Sequence, residues 1–172
     1  MAPAAASPIL GIDPGTRITG WGVIAVEPAG TAAVAFGVIA PKPSWPLERR
    51  LQHIFSELGE VIARFSPAAV AVEEPFVGES VRSAMAVGEA RTVAMLAATL
   101  AGIAVFHYPP ARVKQLVAGH GRGDKDQVAE MLRLQLGMDA APEDRNASDA
   151  LAVALCHAVR AEADALIRAG ER

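Results

Sequence analysis

Residues 9–16 of the sequence read ILGIDPGT, a short apolar run that ends on the carboxylate of Asp13 and turns at once. The run has the length of a buried β-strand, and Asp-Pro-Gly is typical turn chemistry. β-Branched and aromatic residues resume over residues 18–26, which predicts the second strand of a hairpin. A lone aspartate at this place can simply hydrogen-bond its own turn, so a functional role for Asp13 depends on what else reaches it.

The segments that follow predict the rest of an α/β domain. Residues 31–39 are apolar and partly β-branched, as expected of a third antiparallel strand. Apolar residues then recur at helical spacing over residues 47–62, and the short run AAVAVE at residues 68–73 predicts a strand parallel to the first, reached by a crossover helix. With a further strand at residues 103–108, we expect a five-stranded mixed sheet, three antiparallel strands followed by two parallel ones, flanked by helices.

Length, charge and cysteine content exclude several classes of protein. The chain has 172 residues and a net charge of −3, which suits one domain with a full hydrophobic core and argues against a uniformly basic nucleic-acid surface. We expect residues 1–8 to form a disordered tail and residues 9–168 a single domain. No apolar stretch approaches the ~20 residues that a membrane span needs. The single cysteine, Cys156, excludes an internal disulfide and suits a cytoplasmic protein.

Carboxylates end both of the predicted parallel strands. Asp13 ends the first and Glu73 the second, and the carboxyl ends of parallel strands meet at one edge of a sheet, where active sites collect. We therefore expect the two side chains to lie next to each other. Glu74 is the fallback, because successive side chains on a strand point to opposite faces.

A third acid comes from the last predicted helix, residues 143–168. Asn146 and Asp149 lie three positions apart near its start, so they share one face. The ordinary interpretation of Asp149 is a carboxylate favoured by the helix dipole. Together with the acids at the two strand ends it indicates a site for Mg²⁺ or Mn²⁺, which prefer oxygen ligands. Two such ions ~4 Å apart can clamp the attacking water and the leaving oxygen of a phosphodiester.

Basic residues are densest between residues 112 and 125. Arg112, Lys114, Arg122 and Lys125 lie beside glycines that let backbone amides approach a phosphate, so they are candidate contacts to nucleic acid. An ordinary solvated loop remains the alternative. Phe76, in the loop after the second parallel strand, could stack on a base or could equally cover the core.

These segments resemble, in order and spacing, the RuvC family of Holliday-junction resolvases. The matching runs are ILGIDPGTRITGWGVI, VAVEEPF, SAMAVGEAR, RVKQLVAGHGRGDKDQV and ASDALAVALCHA, which together span most of the chain. The resemblance implies an RNase H-like fold and a homodimeric, metal-dependent endonuclease. Such an enzyme nicks opposed strands of a four-way DNA junction symmetrically, leaves 5′-phosphate and 3′-hydroxyl ends, and works in recombination and repair beside RuvA and RuvB.

The resemblance also assigns residue roles. It implies that Asp13, Glu73 and Asp149 are ligands of two divalent cations, Mg²⁺ or Mn²⁺. It further implies that Lys114 and Lys125 contact DNA or support cleavage, and that Phe76 stacks near the crossover.

One position departs from the family pattern. Asn146 stands where family members usually carry an acid or a histidine, and we include it in the candidate catalytic set with Asp13, Glu73 and Asp149. An amide brings no charge and cannot act as a base, which predicts weaker metal binding or a shift towards Mn²⁺. Asp144 could substitute only if the last helix starts later than residue 143.

Three other interpretations remain open from the residues alone. GIDPGT also looks like the first phosphate loop of actin-like sugar kinases and chaperone ATPases, but those proteins need a second such lobe, and the chain shows no second motif of this kind. The fold could instead serve an RNase H-like nuclease with another nucleic-acid substrate. A DNA-binding domain with a vestigial site would explain Asn146 but not the three retained acids.

Overall fold

A computed structural model describes residues 7–28, 30–75, 81–118 and 125–170 of the chain. Its elements alternate as the sequence predicts, with three strands, a helix, a strand, a helix, a strand and three helices. In chain order they are β1 (Ser7–Asp13), β2 (Thr19–Glu27), β3 (Gly30–Ile39), α1 (Leu47–Phe65), β4 (Ala69–Glu73), α2 (Val81–Leu100), β5 (Ala104–Tyr108), α3 (Pro110–Ala118), α4 (Lys125–Gln135) and α5 (Arg145–Gly170).

The five strands form one mixed sheet in the order β3-β2-β1-β4-β5. β1 pairs antiparallel with β2, and β2 pairs antiparallel with β3. β4 pairs in parallel with β1 on one side and with β5 on the other. This is the expected architecture of three antiparallel and two parallel strands, and it puts β1 at the centre of the sheet.

Helices cover both faces of the sheet. The side chains of Leu10 and Ile12 on β1 pack in a cluster with α1 and α2, whereas Ile9 packs in a second cluster with α5, α3 and α4. The alternation follows from the strand period of two residues. Because both faces of β1 and β4 are buried, these strands read as nearly continuous apolar runs.

Several element boundaries differ from the prediction. β1 begins at Ser7 rather than residue 9, so its first two residues belong to the sheet and not to a tail. The last helix begins at Arg145, two residues later than expected, and continues to Gly170. Gly102 and Gly137, which follow α2 and α4, have φ values of 74° and 61°, the left-handed geometry that glycine adopts most easily after a helix.

The helices of the described segments differ in length and in apolar character. None of them combines the length and the hydropathy that crossing a bilayer requires.

Candidate active site

Asp13 and Glu73 lie at the same edge of the sheet, as their positions at strand ends predict. In the parallel pairing of β1 with β4, Ile12 is opposite Val72, so the two acids follow their strands side by side. The turn after Asp13 is closed by Thr19, whose hydroxyl donates to the carbonyl of Gly15 at 2.7 Å. Within the described residues the Asp13 carboxyl makes no hydrogen bond to this turn, so turn formation does not explain why an aspartate occupies this position.

The two carboxyl groups are close enough to share a hydrogen bond. Burial and then the charge of Asp149 raise the pKa of Asp13 from 3.8 to about 7. Burial, followed by the charges of Asp13 and Asp149, raises the pKa of Glu73 to about 8, and the positive charge of Lys114 opposes this rise. Without a cation the pair therefore holds a proton near neutral pH, because burial disfavours the charged carboxylates and the two charges repel each other.

Helix α5 brings Asp149 to this edge by packing closely on glycines of the sheet. A Cβ atom on Gly11 would overlap the carbonyl oxygen of Ala150 and would lie 2.7 Å from the nitrogen of Ala154. A Cβ atom on Gly20, the residue paired with Asp13, would overlap the carbonyl of Asn146. The helix can approach this closely only because both positions lack side chains, and the sequence analysis did not identify them.

Asp144 directly precedes α5 and caps its first turn. Its Oδ1 atom accepts a hydrogen bond from the backbone N–H of Asn146 at 2.8 Å and a second one from the Nδ2 atom of the same residue at 2.9 Å. The first bond is an N-terminal cap, and the second fixes the orientation of the Asn146 amide. The charge of Asp144 also contributes to the raised pKa of Asp13. The later start of the helix thus meets the condition under which Asp144 could compensate for Asn146.

The acids open onto a cavity of about 460 Å³. Asp13, Glu73 and Asp149 line it, and Lys114 on α3 lines it as well. Glu74 also faces this cavity, although the strand alternation favoured only one of the two adjacent glutamates. The remaining polar residues of the wall come from the start of α5 and its preceding turn: Glu143, Arg145 and Ser148.

Not every candidate residue is part of this wall. Asn146 lies over Gly20, on the β2 side of Asp13, and does not line the cavity. Phe76 and Arg122 fall outside the described residues. Lys125 begins α4, but its side chain is not described. The sequence analysis missed Arg145 and Ser148. Arg145 lies four residues before Asp149, and this helical spacing is the signal that could have identified it.

The donor set suits a hard divalent cation. All three acids offer oxygen ligands, and their mutual repulsion would be relieved by positive charge between them. In the described part of the chain, no three His, Cys, Asp or Glu side chains converge on one point as they stand.

Comparison with known proteins agrees with this geometry. The family model described as crossover junction endodeoxyribonuclease RuvC matches residues 9–157. RuvC of Rubrobacter xylanophilus is 47% identical over 150 residues, which are 87% of this chain and 84% of that relative. RuvC of Chloroflexus aggregans is 45% identical over 152 residues, which are 88% of this chain and 93% of that relative.

Solved structures agree with the sequence relatives. Thermus thermophilus RuvC in complex with a Holliday junction substrate superimposes with a TM-score of 0.85 at 40% identity, covering 90% of this chain and 94% of that one. A yeast mitochondrial Holliday junction resolvase, 11% identical with a TM-score of 0.62 over 88% of this chain and 78% of that one, shares the fold. The expected RNase H-like fold is thereby confirmed, and the chain belongs to the RuvC family of crossover junction endodeoxyribonucleases.

Proposed function

We propose that this chain resolves four-way DNA junctions by hydrolysing phosphodiesters, with paired symmetric nicks that leave 5′-phosphate and 3′-hydroxyl ends during recombination and repair. The observation that carries the proposal is the meeting of Asp13, Glu73 and Asp149 at one cavity with the cation of Lys114. Phosphodiester hydrolysis of this kind requires acids that hold a metal ion. It also benefits from a positive charge that contacts the phosphate whatever the nucleobase is. The similarity to a RuvC solved with a Holliday junction supports the choice of substrate.

Asp13, Glu73 and Asp149 would hold two divalent cations, Mg²⁺ or Mn²⁺. When bound, such ions supply Lewis-acid stabilisation of the attacking water and of the leaving oxygen. The protein contributes the position of the acids, because β1 and β4 are adjacent in the sheet and α5 is seated on glycines. Water is the nucleophile, so no side chain of the protein has to form a covalent intermediate.

Lys114 would contact the phosphate next to the cleaved bond. It is an exposed residue of α3 whose charge already acts on Glu73 across the cavity. Phe76, Arg122 and Lys125 are proposed DNA contacts on the strength of the family resemblance. The flexible Lys side chain acts here as a point charge and reads no sequence.

Asn146 is proposed to weaken one ion site, since it brings no charge to a position that is usually acidic or His in the family. Asn146→Asp should tighten Mg²⁺ binding relative to Mn²⁺. Unchanged dependence on both metals would show that this position does not set metal affinity.

A homodimer is proposed to form through α2. The helix packs on α1 and the sheet with its alanines, and its opposite side leaves Val81, Met85, Leu96 and Leu100 exposed at 78, 63, 49 and 69%. Successive positions in this set are separated by close to a whole number of helical turns, so the four side chains form one apolar stripe along the helix. A second copy of the chain would cover the stripe and place two active sites for two nicks, beside RuvA and RuvB in the bacterial cytoplasm.

Cleavage of an end-labelled four-way junction beside a linear duplex of the same sequence tests this function. Wild-type protein with Mg²⁺ or Mn²⁺ should nick the junction symmetrically and leave the duplex intact. Asp13→Asn should abolish nicking, whereas Asp164→Asn, the same charge change on an exposed residue of α5, should not. Equal nicking of the duplex would refute junction selectivity, and binding without nicking would identify a disabled site.

A further inference from the structure

An aromatic residue holds two cations in the connection between β3 and α1. The guanidinium carbon of Arg49 lies 4.3 Å from the centroid of the Trp45 ring, and the Nζ atom of Lys42 lies 5.7 Å from it. The ring of His53 meets the same ring edge-on at 5.6 Å. Cation–π attraction limits the motion of these two long side chains, so both charges are held in place. We call Lys42, Trp45 and Arg49 the Trp45 patch.

The cations of the Trp45 patch are not neutralised by acids. Within the described residues neither Lys42 nor Arg49 forms an ion pair, whereas Arg133 and Arg160 are paired with carboxylates of their own helices. Glu48 is the acid nearest in sequence, and it lies exposed in the first turn of α1. Both cations are exposed, so they remain available to an external anion.

The Trp45 patch lies at the edge of the sheet that carries the active site. β3 runs in the same direction as β1, and its last residue, Ile39, pairs with Thr19, the neighbour of Gly20, which pairs with Asp13. Two strand spacings separate β3 from β1, about 10 Å. Arg50 Nη1 donates to the carbonyl of Thr16 at 3.3 Å, which ties the start of α1 to the turn after Asp13.

We propose that the Trp45 patch binds backbone phosphates of one duplex arm of the junction, away from the bond that is cut. The inference rests on the proposed function, since it takes the same DNA as substrate. A separation of roughly 10 to 20 Å from Asp13 corresponds to about three to six base pairs along an arm. Trp45 supports the cations rather than stacking on a base, because its ring already contacts Arg49 and Lys42. The contact reads no sequence and positions the arm.

Binding measured without divalent cations tests the patch separately from cleavage. The affinity of a fluorescently labelled four-way junction is measured by anisotropy between about 50 and 200 mM salt for wild type and for the Lys42→Ala/Arg49→Ala double variant. Loss of two phosphate contacts should reduce the slope of log affinity against log salt by about 1.8. The ratio of the junction affinity of wild type to that of the double variant should therefore fall roughly tenfold from about 50 to about 200 mM salt.

Arg64→Ala is the matched control. Arg64 lies 5.0 Å from the ring centroid of Phe65, so it forms the same kind of cation–ring pair as Arg49 on the same helix. The two arginines are about 22 Å apart along α1, which puts Arg64 at the far edge of the sheet. Arg64→Ala should leave affinity and salt slope unchanged, and Arg49→Lys should keep the wild-type slope because the charge remains.

The outcomes separate this inference from the proposed function. If wild type does not bind the junction, both are wrong. If wild type binds it and the double variant has the same affinity and slope, the patch does not contact DNA and the proposed function stands. Equal losses in Arg64→Ala and Arg49→Ala would also refute the patch, because they would reflect net charge alone. Melting temperatures of all variants establish folding, and Arg49→Glu should weaken binding further than Arg49→Ala.

Discussion

Gly11→Ala should damage the active site because the added methyl group pushes helix α5 away from strand β1. The added Cβ atom would lie 2.7 Å from the nitrogen of Ala154 and would overlap the carbonyl oxygen of Ala150. Restoring an ordinary contact of 3.4 Å to that nitrogen requires at least about 0.7 Å of movement, and the obstructing atoms are backbone atoms that cannot rotate away. The helix as a whole must therefore shift, and Asp149 shifts with it because it precedes Ala150.

Overpacking of this kind costs about 1 to 3 kcal/mol of the free energy of unfolding. For a chain of this length each kcal/mol lowers the melting temperature by about 2 to 4 °C, so we expect a decrease of roughly 2 to 12 °C. A displacement near 1 Å at a reacting centre can lower the rate about 100-fold. Junction cleavage by the folded variant should fall by an amount of this order at saturating metal.

Gly59→Ala is the matched control for this prediction. Gly59 lies in α1, and a Cβ atom added there would have no other atom within 4 Å, so the methyl group meets open space. The change should stabilise the helix by about 0.5 to 1 kcal/mol and leave cleavage unchanged. Thermal melting and junction cleavage of both variants give the comparison. A Gly11→Ala protein that melts and cleaves like wild type would refute the argument that glycine contacts set the position of α5.

Three further predictions concern charge, assembly and the cap of α5. Asp13→Asn should stabilise the metal-free protein by about 1 to 2 kcal/mol at pH 8 and by less at pH 5. The carboxyl has a pKa of about 7 in the folded protein instead of 3.8, so wild type loses stability as the pH rises through that window. An equal gain at both pH values in thermal melts would contradict this prediction. Leu96→Glu should convert a dimer to a monomer in sedimentation velocity, whereas Leu134→Glu, 58% exposed on α4, should not; a dimer that persists in Leu96→Glu excludes α2 as the interface. Asp144→Ser should retain the helix cap and the melting temperature but weaken Mn²⁺ binding in calorimetry. Asp144→Ala should weaken Mn²⁺ binding as well and also lose about 1 kcal/mol of stability. Unchanged Mn²⁺ binding in both variants would show that Asp144 only caps the helix.

The order of the elements and the meeting of two acids follow from local sequence patterns. An apolar run that stops at Asp13, a helix-spaced segment and a second apolar run that stops at Glu73 predict parallel neighbouring strands. The structure has that pairing, with Ile12 opposite Val72. Strand period, turn chemistry and crossover handedness act over short stretches of chain, so a sequence pattern can report them.

The same patterns gave an incomplete account of α5. Its start at Arg145 depends on the carboxylate of Asp144, which accepts two hydrogen bonds from Asn146. Asp144 is one residue from the expected boundary at residue 143, and an acid there gave no distinct signal. Alternation along β4 favoured one glutamate at the site, but both Glu73 and Glu74 line the cavity. Alternation holds within a strand and weakens where the strand ends.

Local sequence patterns were enough to predict the α/β architecture, the edge of the sheet where Asp13 and Glu73 meet, and the candidate acid on α5. The distance between α5 and the strands β1 and β2 became visible only in the folded chain, through the contacts of Gly11 and Gly20. Only the tertiary structure, too, gathers Lys42 and Arg49 on one ring beside that edge. The physical reason is that these distances depend on residues far apart in the chain, whose packing no local periodicity encodes.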